Sequence, residues 1–228
     1  MKRLAVLLSA LSFGFAAQAD LILNSLGTTT YNFDTFAGTA APADWTVTGN
    51  ATVTWQGTDS GSSTTGGGRS YTNAGPNRSL GFLGSGTLTN MTAQLVVDNQ
   101  TGSIITDVTL SFSILQYRLS NGGRASTIAF NDVTNLGFNE PTYTAATTGT
   151  TGAIIPPTTI GTFSQTISGL NIANGSSFTF EWLYDRGTGA GSAQGMAIDN
   201  VVITVVPEPA TLAFMAIGLL GLAYRRRR

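Results

Sequence analysis

The sequence predicts an all-β fold, a jelly-roll-like antiparallel β-sandwich, and three observations lead there. Apolar residues return at every second position in several segments, the pattern of strands with one buried face. Gly-, Asn- and Asp-rich turns separate these segments. No body segment of useful length carries a helical period. A β-solenoid is the competing arrangement, but no fixed short repeat runs through the 228 residues.

In chain order, MKRLAVLLSALSFGFAAQAD comes first. Lys2 and Arg3 form a charged start, Leu4 to Phe15 an apolar stretch, and Ala17 and Ala19 supply the small residues that a signal peptidase requires. Residues 1–19 are therefore expected as a signal peptide, cut before Asp20, and the mature chain as an exported one. Residues 20–206 make up the expected ectodomain. Its first clear pattern, WTVTGNATVTW, is expected as a hairpin with Trp45 opposite Trp55 and Val47 opposite Val53, the register that gathers one apolar face. The Gly/Ser-rich stretch Gly57 to Ser70 is expected as a mobile loop.

Three strands follow with strong alternation. Met91, Ala93, Leu95 and Val97 share one face; so do Val108, Leu110, Phe112 and Ile114; so do Phe178, Phe180, Trp182 and Tyr184. DNVVITVV, from Asp199 to Val206, is apolar on both faces and suits a central strand. Turns at Asp98-Asn99, Asn121-Gly122-Gly123 and Asn174-Gly175 punctuate the series. Between them, Pro141 to Thr159 interrupts the pattern and is expected as a long loop, either an excursion across one end of the sandwich or a functional loop.

Composition narrows the chemistry. Cysteine and histidine are absent, which excludes disulfides, thiol or imidazole catalysis and Cys/His metal sites. From Asp20 to Val206 there are five arginines against 11 acidic residues, a net of −6, so nucleic acid is not an expected partner. Glycan hydrolysis needs two carboxylates about 5–9.5 Å apart. Glu181 and Asp185 share a strand face, but four residues of strand separate them by about 13 Å. Asp98, Asp199 and Asn200 offer oxygen ligands for calcium, against the simpler role of capping backbone groups in turns. Arg118 follows apolar strand positions and is expected to pair with Glu181 or Asp185 from a neighbouring strand. A sugar-stacking role for it beside Tyr117 is the other reading.

The chain ends VPEPATLAFMAIGLLGLAYRRRR. Pro207 and Pro209 bracket Glu208 and stop any preceding structure. Ala210 to Tyr224 is apolar and helix-compatible, but as a helix it spans about 22 Å against a hydrocarbon core of about 30 Å. Arg225, Arg226, Arg227 and Arg228 would hold to the cytoplasmic headgroups. A proline-bracketed acid, a short apolar helix and a terminal arginine cluster resemble the PEP-CTERM sorting signal. That resemblance implies a Gram-negative bacterium that makes extracellular polysaccharide. It also implies recognition by an exosortase, a transient anchor in the inner membrane, cleavage near the PEP triplet, and release to the cell surface or matrix. The sorting segment is taken as 207–228. In the body, Asn77-Arg78-Ser79-Leu80-Gly81, Val97 to Gly102, Gln116-Tyr117-Arg118 and Ala197 to Val201 resemble the punctuation of jelly-roll ectodomains found in such proteins. Those often carry Glu-Gln-Trp-Arg where this chain has Leu115-Gln116-Tyr117-Arg118. The function expected is a non-catalytic, exosortase-sorted surface or biofilm-matrix protein whose sandwich serves adhesion or binds polysaccharide. No resident cofactor is expected unless calcium binds. A secreted, carboxylate-dependent glycan-active enzyme is the alternative.

Overall fold

The structure, a computed structural model, describes residues 20–72, 75–120, 124–189 and 191–207. The expected signal peptide and residues 208–228 of the sorting segment lie outside these, and with them the expected apolar helix. Among the described residues no helix is long and apolar enough to cross a membrane.

Thirteen strands carry the fold: β1 (Leu21–Leu23), β2 (Gly27–Tyr31), β3 (Trp45–Gly49), β4 (Trp55–Asp59), β5 (Gly67–Thr72), β6 (Arg78–Leu83), β7 (Asn90–Asn99), β8 (Ile105–Leu119), β9 (Thr127–Asp132), β10 (Thr142–Thr144), β11 (Gly152–Ile172), β12 (Ser177–Asp185) and β13 (Gly195–Pro207). They form two sheets. The first runs β1-β7-β12-β9-β10, with β3 also on β7; the second runs β11-β8-β13-β6-β5-β4, with β2 also on β13. From β7 onward the chain passes repeatedly from one sheet to the other, as a jelly-roll-like sandwich requires. Two pairings, β1 with β7 and β4 with β5, are parallel; the rest are antiparallel.

The alternating segments behave as read. Met91, Ala93, Leu95 and Val97 of β7, Val108, Leu110, Phe112 and Ile114 of β8, and Phe178, Phe180, Trp182 and Tyr184 of β12 all enter the core between the sheets. β13 is a central strand, bonded to β8 on one side and to β6 and β2 on the other. Aromatic rings concentrate in this core: Trp182 lies within edge or tilted contact of Trp45, Phe112, Phe130 and Phe180.

Three expectations about connections fail. WTVTGNATVTW is not a hairpin: β3 joins the first sheet through Trp45 opposite Leu95, whereas β4 joins the second through Trp55 opposite Gly68. Asn50 decides this, because its side chain accepts from the amides of Thr89 and Asn90 and donates to the carbonyl of Thr87. The turn is thereby fixed to the connection before β7, and the chain crosses the sandwich. Gly57 to Ser70 is not a mobile loop: its ends belong to β4 and β5, and Asp59 and Arg118 bind the backbone between them. Pro141 to Thr159 is only partly a loop: it holds β10 and the first third of β11, an edge strand.

Candidate functional site

One end of the sandwich is built by the loops after β4, β6, β8 and β12. The β4–β5 loop is ordered by a buried charge pair. Arg69, on β5, is fully buried and donates to the Asp59 carboxylate at 2.6 Å. The other Asp59 oxygen accepts from the amides of Gly61, Ser62 and Ser63 and from the Ser62 hydroxyl. Burial opposes the Asp59 charge, but the Arg69 hydrogen bond, the Ser63 amide, the Arg69 charge and the Gly61 amide outweigh it and lower its pKa. A Gly/Ser-rich segment is thus held by one carboxylate that collects its amides.

Arg118 fastens the same loop from the opposite side. Its Nη1 donates to the carbonyls of Gly61 and Ser62 at 3.1 and 3.0 Å, and its Nε donates to Ser120 Oγ at 3.2 Å. The expected ion pair with Glu181 or Asp185 does not form: β8 and β12 lie in different sheets. Glu181 instead accepts from its cross-strand neighbours Gln94 and Asn131, and Asp185 caps the amide of Gly187 at 2.6 Å. Nor does Tyr117 offer a stacking platform. It is 1% exposed and lies flat on Tyr71, ring centroids 4.8 Å apart.

Arg124 and Arg186 complete a cluster with Arg118. All three line a cavity of about 340 Å³, with Thr64, Leu83, Gly84, Ser85, Gly86, Gly191, Ser192 and Ala193. Arg124 donates through Nε to the Gly191 carbonyl and through Nη1 to that of Gly187, and Arg186 donates through Nη1 to that of Ser85. Behind them, Gln194 is fully buried. It donates to the carbonyls of Ser120 and Arg124 and accepts from the Ser120 amide. Tyr184 accepts from the Gly84 amide at 2.9 Å and donates to the Gln194 carbonyl at 3.0 Å. Burial, chiefly, pushes its phenol pKa up to about 12, so it remains a neutral donor. The cavity walls are therefore joined side chain to backbone across all four loops.

The calcium candidates do not share an element. Asp98 belongs to β7 in the first sheet and accepts from Ser177 Oγ. Asp199 and Asn200 belong to β13 in the second, where Asn200 has φ 51° at a register shift against β8 and donates its amide to Asp199 Oδ1. Among the described residues no cluster of three or more acidic groups is gathered for a metal. Asp199 is 1% exposed, and burial pushes its pKa up to about 6 against the Asn200 and Ser79 hydrogen bonds, with Asp34 adding repulsion.

Sequence reasoning passed over Arg69, Arg124, Arg186 and Gln194. A weak signal was present. Arg69 follows three glycines, Arg124 follows two, and Arg186 opens a Gly-rich run. Glycines leave carbonyls bare for guanidinium groups to reach.

The comparisons bear on the tail and on the architecture. Residues 205–228 match the PEP-CTERM protein-sorting motif, and the chain carries that motif. No curated protein matches the chain. Among solved structures it is similar to TmCBM61 in complex with beta-1,4-galactotriose, at 14% identity over 77% of this chain and 94% of that one, TM-score 0.40. It is similar to the K3 cleaved adhesin domain of Lys-gingipain from Porphyromonas gingivalis W83, at 15% identity over 78% and 99%, TM-score 0.42. It is also similar to the non-crystalline cellulose specific carbohydrate-binding module CBM28, at 14% identity over 69% and 85%, TM-score 0.36. The motif implies export and sorting to the cell surface.

Proposed function

We propose that this is a secreted, non-catalytic surface or matrix protein of a Gram-negative bacterium. Its N-terminal signal peptide is removed before Asp20, its tail anchors transiently in the inner membrane, and an exosortase processes it near Pro207-Glu208-Pro209. The sandwich then binds extracellular polysaccharide at the loop end. One observation carries the reading: the sorting motif at 205–228 is attached to a β-sandwich with a polar cavity at one end. Rigid strands with binding loops at their ends are a general way to hold a ligand site in place.

The separation of Glu181 and Asp185 favours binding over hydrolysis by that pair. β12 keeps an unbroken register with β7 from Ser177 to Asp185, so the separation of about 13 Å between Glu181 and Asp185 holds. The test is a glycan array probed with the protein secreted from cells that express the full chain. Retention of one or more polysaccharides without their cleavage is the expected result. Products of cleavage would favour the enzyme, and an array without any retained glycan would overturn the binding reading.

A further inference from the structure

Resting on that reading, we infer that the cavity at the loop end is a subsite for an acidic sugar, with Arg118, Arg124 and Arg186 around the carboxylate of a uronate unit. Three of the five arginines between Asp20 and Val206 line this one cavity. Arg118 is only 7% exposed, and a guanidinium so buried ordinarily has a carboxylate partner. Among the described residues the one ion pair is Arg69 with Asp59, so none of the three cavity arginines has a carboxylate partner there. The acid next in sequence, Asp185, is turned onto the Gly187 amide.

Each guanidinium is held by carbonyls through part of its fork. Arg186 uses Nη1, Arg124 uses Nε and Nη1, and Arg118 uses Nε and Nη1. The Nη2 group of each has no partner among the described residues and remains for a ligand. Planar forks fixed in place match a carboxylate with little further loss of side-chain entropy.

The remaining lining selects for a sugar that carries this charge. Thr64, Ser85 and Ser192 supply hydroxyls, and Gly84, Gly86 and Gly191 expose backbone, all suited to ring hydroxyls. None of the lining residues is aromatic, so a neutral sugar has no ring to stack on. The volume lies at the low end of small-ligand sites, roughly 300–1,000 Å³. The acidic body does not cancel the attraction. At physiological salt, exposed charges beyond about 8 Å are largely screened, whereas enclosed groups are screened much less.

The experiment is titration calorimetry on the protein secreted from the full chain, with oligogalacturonate and with the same oligosaccharide after its carboxylates are reduced to alcohols. Binding of the acid form at least about tenfold tighter than of the reduced form supports the assignment. So does a similar loss in Arg186→Gln and Arg124→Gln, with only partial recovery in Arg186→Lys, which restores the charge but not the fork, each variant first shown to melt like the parent. Equal binding of both forms, unaffected by the variants, overturns the acidic-sugar assignment and leaves polysaccharide binding standing. Neither form bound, while the array retains a neutral glycan, overturns it likewise. Sulfate or phosphate bound at the arginines with no oligosaccharide bound also overturns it, the cavity then being a site for small anions.

Discussion

Two buried aspartates in the second sheet respond to pH in opposite senses. Asp199 has a folded pKa raised to about 6, so the folded chain binds its proton more tightly than the unfolded chain does. Its contribution is complete below the ordinary aspartate value near 3.9 and is lost as pH rises through about 6. Asn mimics the protonated acid and still accepts from the Asn200 amide. Asp199→Asn should therefore melt higher than the parent at pH 8 and equally at pH 4, as read by thermal circular dichroism. Asp59 runs the other way. Its lowered pKa contributes stability above its ordinary value and loses it as pH falls. Asp59→Asn leaves Arg69 buried without its counter-charge, a change that costs about 3–5 kcal/mol in comparable pairs. Urea denaturation at pH 7 should show that loss, together with faster proteolysis between Gly61 and Thr65. Stability lost without increased cleavage would mean that the carboxylate does not hold the loop.

At the scale of the element, close approach matters as much as pattern. Tyr71 occupies a slot against Gly81, where an added Cβ would stand 2.1 Å from the ring, and against Gly195, where one would stand 2.3 Å from the hydroxyl. Gly81→Ala should destabilise by about 1–3 kcal/mol, as overpacking does. Gly86→Ala, with nothing within 4 Å of the new methyl, should not. Comparable melting shifts in both variants would remove the slot argument. β7, β8 and β12 were legible because each buries one face and solvates the other, a property local to a segment. The β3–β4 crossover was not, because Asn50 selects its partners from residues 87–90, far along the chain. The β4–β5 loop reads as disorder in composition, yet Asp59 and Arg118 order it, and Gly61, at φ 94° and against the Tyr117 carbonyl, admits no side chain. The start of β11 was hidden by Pro156 and Pro157, which read as a loop but are tolerated on an edge strand. The arginine cluster was least legible, since its members come from β8 and two separate loops, and only the fold brings them to one cavity.

For the whole molecule, charge and sorting are connected. The precursor has a net charge of −1 and a pI near 5.2, because Lys2, Arg3 and Arg225 to Arg228 offset much of an acidic body. If both ends are removed as proposed, at Asp20 and near the PEP triplet, five arginines stand against 11 acids from Asp20 to Val206. The processing proposed above would thus change the chain from nearly neutral to a polyanion of about −6, and soluble proteins resist association more strongly as net charge departs from zero. The remaining cations are not spread evenly. Three line the cavity and one neutralises Asp59, which leaves Arg78, held by the Phe36 carbonyl, as the fifth, so the surface of residues 20–206 is predominantly acidic outside the loop end. Protein recovered from the cell surface should therefore focus below the precursor's pI, and its intact mass should lack residues 1–19 and all four terminal arginines. A catalytically inactive exosortase should leave a membrane-associated form that retains Arg225 to Arg228. Surface material that keeps those arginines in cells with active processing would show that the tail serves as a lasting anchor, and the charge change on sorting would not occur.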